Sequence, residues 1–118
     1  MKNQQKELFA VQAEICKALA NAKRLEIIHF LGIEGQQSAA DLMKKVQLTK
    51  TNLSQNMRVL RQAEIVVASR EGKQVSYRLA SPKIGEACER LHEFLFERLK
   101  RQGLLAETVT DRKSKKET

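Results

Sequence analysis

Residues 48–60 read LTKTNLSQNMRVL, and a helix sorts them onto two faces, with Leu48, Leu53, Met57 and Leu60 on one side and Lys50, Thr51, Asn52, Ser54, Gln55, Asn56 and Arg58 on the other. The apolar set suits a core. The polar set is made of short amides, hydroxyls and a guanidinium, which are the groups that pair with base edges and phosphates in the major groove of a duplex. Gln55 or Asn52 suits bidentate pairing with adenine, and Arg58 suits a guanine or a phosphate. Ser54 and Gln55 stand centrally on that face. The alternative for Ser54 is a hydroxyl that bonds its own helical turn.

Other chemically able side chains are few. Cys16 and Cys88 are the two cysteines, and His29 and His92 the two histidines. Cys88 and His92 are spaced i, i+4, at which two helical side chains can share a metal ion. Against this, Cys88 falls on an apolar stripe, where a thiol more often packs as a small hydrophobe. Three roles for the thiols stay open: packing, sensing of oxidants or sulfur species, and ligation of a soft metal or arsenite. Two cysteines do not make a metal framework by count, so which metal binds, if any, is left unknown. His29 lies in an apolar segment and is expected to be a hydrogen-bonded core residue. No Gly-rich phosphate loop, nucleophile elbow or pair of carboxylates in a plausible pocket is present, and an enzyme is not expected.

The elements that must hold these residues follow from periodicity. Leu8, Val11, Ile15, Ala18 and Leu19 predict an amphipathic helix over 5–19. Asn21 breaks or recaps the chain, and Leu25, Ile27, Ile28, Phe30 and Leu31 predict a denser, central helix ending at Gly32. Residues 35–37 read as a polar connection. Ser38 then caps a short helix carrying Ala39, Leu42, Met43 and Val46, with Asp41 completing an acidic capping box. A turn at 47–49 with Thr49 as N-cap leads into the polar-faced helix, which makes a helix-turn-helix. The period then changes from 3.6 to 2: residues 64–69 and 74–79 predict a β-hairpin turning at Glu71-Gly72, with Arg70, Lys73 and Arg78 at its tip or exposed face. Ser81-Pro82 opens a last helix striped by Ile84, Cys88, Leu91, Leu95 and Leu99 and broadened by Phe94. So continuous a stripe needs a partner surface, and a homodimer is expected.

With 118 residues, 42% hydrophobic but only 4% aromatic, the chain suits one mainly α domain with an aliphatic core. Residues 1–106 are expected to form that domain and 107–118 a disordered basic tail. A formal charge of +8 makes a polyanion a plausible partner. The excess is localised, for residues 41–79 hold eight basic side chains against three acidic ones. The N-terminal residues have no apolar signal-like run and no stretch is long enough to span a bilayer, so a cytoplasmic protein with reduced thiols and no membrane partner is expected.

This order of helices, helix-turn-helix, β-wing and terminal helix resembles the winged-helix repressors of the ArsR/SmtB family. The resemblance is carried by CKALANAKRLEIIHFL, LTKTNLSQNMRVLRQAEIV and REGKQVSYRL, in that order, and extends over roughly residues 7–99. It implies a mainly α fold with a small β-hairpin, in the order α-α-α-α-β-β-α, dimerising through its first and last helices. It implies DNA contacts at Lys50, Thr51, Asn52, Ser54, Gln55 and Arg58, and at Arg70 and Lys73 of the wing. It also implies a palindromic operator released by an effector. The family's thiolate metal site would need cysteines where Ser38 and Ala40 stand, and its terminal-helix zinc site falls on Ser81, Lys83, Phe94 and Glu97. The reactive cysteines of its persulfide-sensing branch fall on His29 and Phe96. None of these ligand sets transfers. Packing of the first and last helices would bring Cys16 of one subunit towards Cys88, which leaves Cys16, Cys88 and His92 as the expected sensing residues. No cofactor is expected to be required; a soft metal ion or a thiol modification is the class of signal left open. The competing function is a nucleoid-associated or protein-interaction winged helix without operator specificity, which would rest on cations more than amides.

Overall fold

A computed structural model describes residues 3–103. The elements run α1 (Asn3–Leu19), α2 (Ala22–Glu34), β1 (Gln37–Ser38), α3 (Ala39–Val46), α4 (Lys50–Gln62), β2 (Val66–Glu71), β3 (Gln74–Leu79) and α5 (Pro82–Arg101). The chain divides into two units, Met1–Glu86 and Ala87–Thr118. All elements before α5 lie in the first. The tail expected at 107–118 lies outside the described residues.

Local chemistry sets most of the boundaries. Asn21 is extended and its side-chain oxygen accepts the Arg24 N–H, which starts α2. Ser38 accepts from the Asp41 N–H at 3.1 Å and Thr49 from the Asn52 N–H at 3.1 Å, so α3 and α4 are each capped at the residue expected. The Ser81 hydroxyl accepts from the Lys83 N–H, and Pro82 takes the first helical position of α5.

Several boundaries differ from expectation: α1 begins at Asn3 rather than residue 5, and the hairpin turns at Gly72-Lys73 rather than Glu71-Gly72. α2 runs past Gly32 to Glu34 and ends at Gly35, whose φ of 78° suits only glycine well. Gly32 serves packing instead. A Cβ there would lie 3.8 Å from the Gly85 Cα, and one on Gly85 would lie 3.1 Å from the Leu79 Cδ1, so two glycines let α2 and the first turn of α5 approach closely. The connection after α2 holds the two-residue strand β1, and β2 begins at Val66 because Glu64, at φ 59°, reverses the chain after α4.

The sheet order is β1-β3-β2, antiparallel throughout. Gln37 pairs with Tyr77 and Ser38 with Ser76, while β2 and β3 pair from Val66–Leu79 out to Glu71–Gln74. Gly72 supplies the positive φ that the two-residue hairpin loop requires. Ile27, Ile28 and Leu31 of α2, Leu42 and Val46 of α3, Leu53, Met57 and Leu60 of α4, and Ile65, Val66 and Tyr77 form one buried core. The second helix is thus as central as its apolar circumference predicts, with Leu25 and Ile33 left exposed at its margins.

Candidate nucleic-acid interface

α4 is fixed along one side by Leu53, Met57 and Leu60, each at most 2% exposed. Burial of that side forces the opposite side outward. Thr51, Ser54, Gln55 and Arg58 are all exposed there, with Lys50 and Asn52 exposed at its two margins. Two further side chains continue the face by one turn. Arg61 and Gln62 are exposed and stand at three- and four-residue steps from Arg58, a spacing that is also visible in the sequence.

Asn56 departs from the reading of the polar face. It is half-buried; its amide oxygen accepts from Arg24 at 3.2 Å and its amide nitrogen donates to the Asn52 carbonyl at 2.9 Å. It ties the helix to the rest of the unit.

The turn before α4 is equally fixed. Gln47 adopts a left-handed backbone (φ 54°, ψ 55°), its N–H and that of Leu48 both return to the Met43 carbonyl, and the Lys23 ammonium donates to the Val46 carbonyl at 2.7 Å. The Met43 and Val46 carbonyls at the end of α3 are thereby satisfied.

In the wing, Arg70, Lys73 and Arg78 are all exposed. At the wing's base an open cleft of about 710 Å³ is lined by Arg58, Arg61, Gln62 and Glu64 from α4 and the turn after it, together with Val66, Val67, Ala68 and Ala80. In this lining the two guanidiniums outnumber the one carboxylate, and they stand on the same helix as the exposed amide face.

Cys16 on α1 is exposed, Cys88 on α5 is half-buried, and His92 is exposed one turn beyond Cys88. Among the described residues no group of three or more His, Cys, Asp or Glu is arranged to hold a metal ion. His29 is not a core residue: it is exposed, with its ring edge-on to Phe30 at 5.5 Å between centroids. The apolar neighbours on α2 turn Ile27, Ile28 and Leu31 inward and leave His29 outward. No helix among the described residues is long and apolar enough to cross a membrane.

Known proteins share this arrangement. The sequence profile of the helix-turn-helix domain family matches residues 19–67, which contain α2, α3 and α4. Over 80 residues the chain is 39% identical to the HTH-type transcriptional regulator Rv0081 of Mycobacterium tuberculosis, covering 67% of this chain and 69% of that protein. It is also 39% identical over 80 residues to a biofilm growth-associated repressor of Agrobacterium fabrum, covering 68% of each. Among solved structures, the homodimeric winged helix-turn-helix DNA-binding domain of Mb0332 from Mycobacterium bovis, a possible ArsR-family transcriptional regulator, superposes with a TM-score of 0.76. That match has 26% identity and covers 86% of this chain and 93% of that one. A capped helix-turn-helix within the profile match, relatives at 39% identity and a winged helix-turn-helix neighbour of the same architecture agree, and the chain belongs to the ArsR/SmtB family of winged helix-turn-helix, DNA-binding transcriptional regulators.

Proposed function

We propose that this protein is a sequence-specific repressor that binds a palindromic operator as a homodimer, each subunit presenting α4 to a major groove and its wing to the flanking backbone. The observation that carries this reading is the outward face of α4: Thr51, Ser54, Gln55 and Arg58 are exposed in one continuous arc while the opposite side of the helix is sealed in the core. Amides and hydroxyls discriminate donor and acceptor patterns on base edges, whereas a binder indifferent to sequence needs only cations. Arg70 and Lys73 then serve phosphates and fix orientation, as do Arg58 and Arg61 at the rim of the cleft.

Dimerisation is supported by two apolar faces that the described residues leave uncovered. On α1, Leu8 is 67% exposed and Phe9 57%; on α5, Leu91 is 57% exposed and Phe94 53%. Large apolar side chains left exposed on two helices favour an association surface there. The thiols Cys16 and Cys88, with His92, are the proposed point at which oxidation, sulfuration or a soft metal acts, since Cys16 is open to solvent and both cysteines lie on those two helices. The effector must bind the two dimer states with different affinity, a few kcal/mol being the scale that empties one of them.

The test is titration of the dimer onto its own promoter and onto random duplex across a range of salt. Operator binding is expected to be about 10³-fold or more tighter than random binding, with log affinity falling linearly in log salt. Gln55→Ala is expected to relax preference at one position per half-site, and Arg58→Ala to weaken binding by about 1–3 kcal/mol. Equal affinity for promoter and random DNA would leave the nucleoid-type reading instead. For the signal, a Cys16→Ser, Cys88→Ser double variant is expected to keep operator binding but lose release by oxidant, persulfide or thiophilic metal; an unchanged response would refute the thiol assignment.

A further inference from the structure

Arg24 does not belong to the outward face of α4, yet it makes the polar connections that tie that helix to the α1–α2 junction. Its backbone N–H donates to the Asn21 side chain that caps α2, its Nε donates to the carbonyl of Ala18 near the end of α1, and its Nη1 donates to the Asn56 amide oxygen at 3.2 Å. Asn56 in turn donates to the Asn52 carbonyl at 2.9 Å. One planar guanidinium therefore holds acceptors on two other helices at once, a geometry that the single ammonium of lysine does not reproduce.

The apolar contacts of α4 do not supply the same restraint. Leu53, Met57 and Leu60 hold the helix against the core, but packing alone tolerates small rotations of a helix about its own axis. Asn56 stands at the edge of the buried side, where such a rotation carries a side chain towards or away from the neighbouring elements, so a bond held there resists it. We propose that Arg24 is a positioning residue for DNA recognition: through Asn56 it fixes the rotation of α4, and through Ala18 it couples that rotation to the end of α1. This rests on the reading of α4 as the DNA-reading helix. The consequence is that a displacement of the C-terminal end of α1 is transmitted to the aim of Thr51, Ser54, Gln55 and Arg58 without any contact between α1 and DNA.

The experiment compares wild type, Arg24→Gln, Asn56→Ala and the double variant, each titrated onto an operator duplex isolated by selection from random sequence and onto random duplex at several salt concentrations. Each single variant is expected to lower the operator-to-random affinity ratio about tenfold, the double variant no further than either single one, and the salt slope to stay that of wild type. A slope reduced by about one would make Arg24 a phosphate contact, and losses that multiply would make the two side chains independent; either overturns the proposal. So does an unchanged ratio, the result expected if Arg24 served stability alone. Should wild type itself show no operator preference, the repressor reading fails, and amide exchange in the same four proteins decides the linkage. Exchange raised in α4 and at the end of α1 ahead of α3 supports it, and uniform change across the unit overturns it.

Discussion

Gln47 pays for the tightness of the helix-turn-helix with a backbone that suits it badly. A residue with a Cβ at φ 54°, ψ 55° bears about 1–2 kcal/mol that glycine does not, while glycine raises unfolded-state entropy by about 0.5–1 kcal/mol. Gln47→Gly is therefore expected to stabilise the protein by up to about 1 kcal/mol, read from denaturant midpoints at constant m-value. A loss of stability would show that the side chain contributes more than its backbone costs. At this scale the capping residues Asn21, Ser38, Thr49 and Ser81 were legible because a cap is a local event between a side chain and an N–H two or three residues on. His29 and Asn56 were not. Periodicity ranks positions around a helix, but whether a marginal position is open, as at His29, or covered, as at Asn56, depends on which other element reaches it, and Arg24 is 32 residues away from Asn56.

At the level of elements, α4 is held by packing more than by its cap. Leu60 is fully buried, so Leu60→Ala is expected to cost about 2–5 kcal/mol, against about 1 kcal/mol for Thr49→Ala, which removes one acceptor at the helix start. Comparable losses in the two variants by thermal or chemical unfolding would contradict this order. The helices and the hairpin were legible from their periods. β1 was not, because two residues are too few to display an alternation, and its pairing partner is in the wing, far along the chain. Gly32 misled for a related reason: a glycine near a helix end usually terminates it, and only the Gly85 backbone lying opposite explains why this one sits inside. The outward face of α4 was legible as far as Arg58; Arg61 and Gln62, exposed one turn on, lie past the apolar pattern that closes at Leu60.

For the whole molecule, association is the property most open to a direct measurement. Leu91 and Leu95 are exposed on α5, so Leu91→Glu with Leu95→Glu leaves the folded core untouched and is expected to give a helical monomer by sedimentation that binds a half-site only weakly. A variant that sediments as wild type would move the association surface elsewhere. One modest element carries a larger consequence. Ser38 both pairs with Ser76 of the wing and caps the helix that precedes α4, so one residue joins the hairpin, through the strand ladder, to the helix-turn-helix, through the cap. On the proposed reading, in which α4 addresses base pairs and the wing the sugar-phosphates, the spacing between the two footprints is then a fixed length of duplex. Inserting a single base pair between those two footprints in a half-site should abolish tight association, where a loosely tethered wing would step over it.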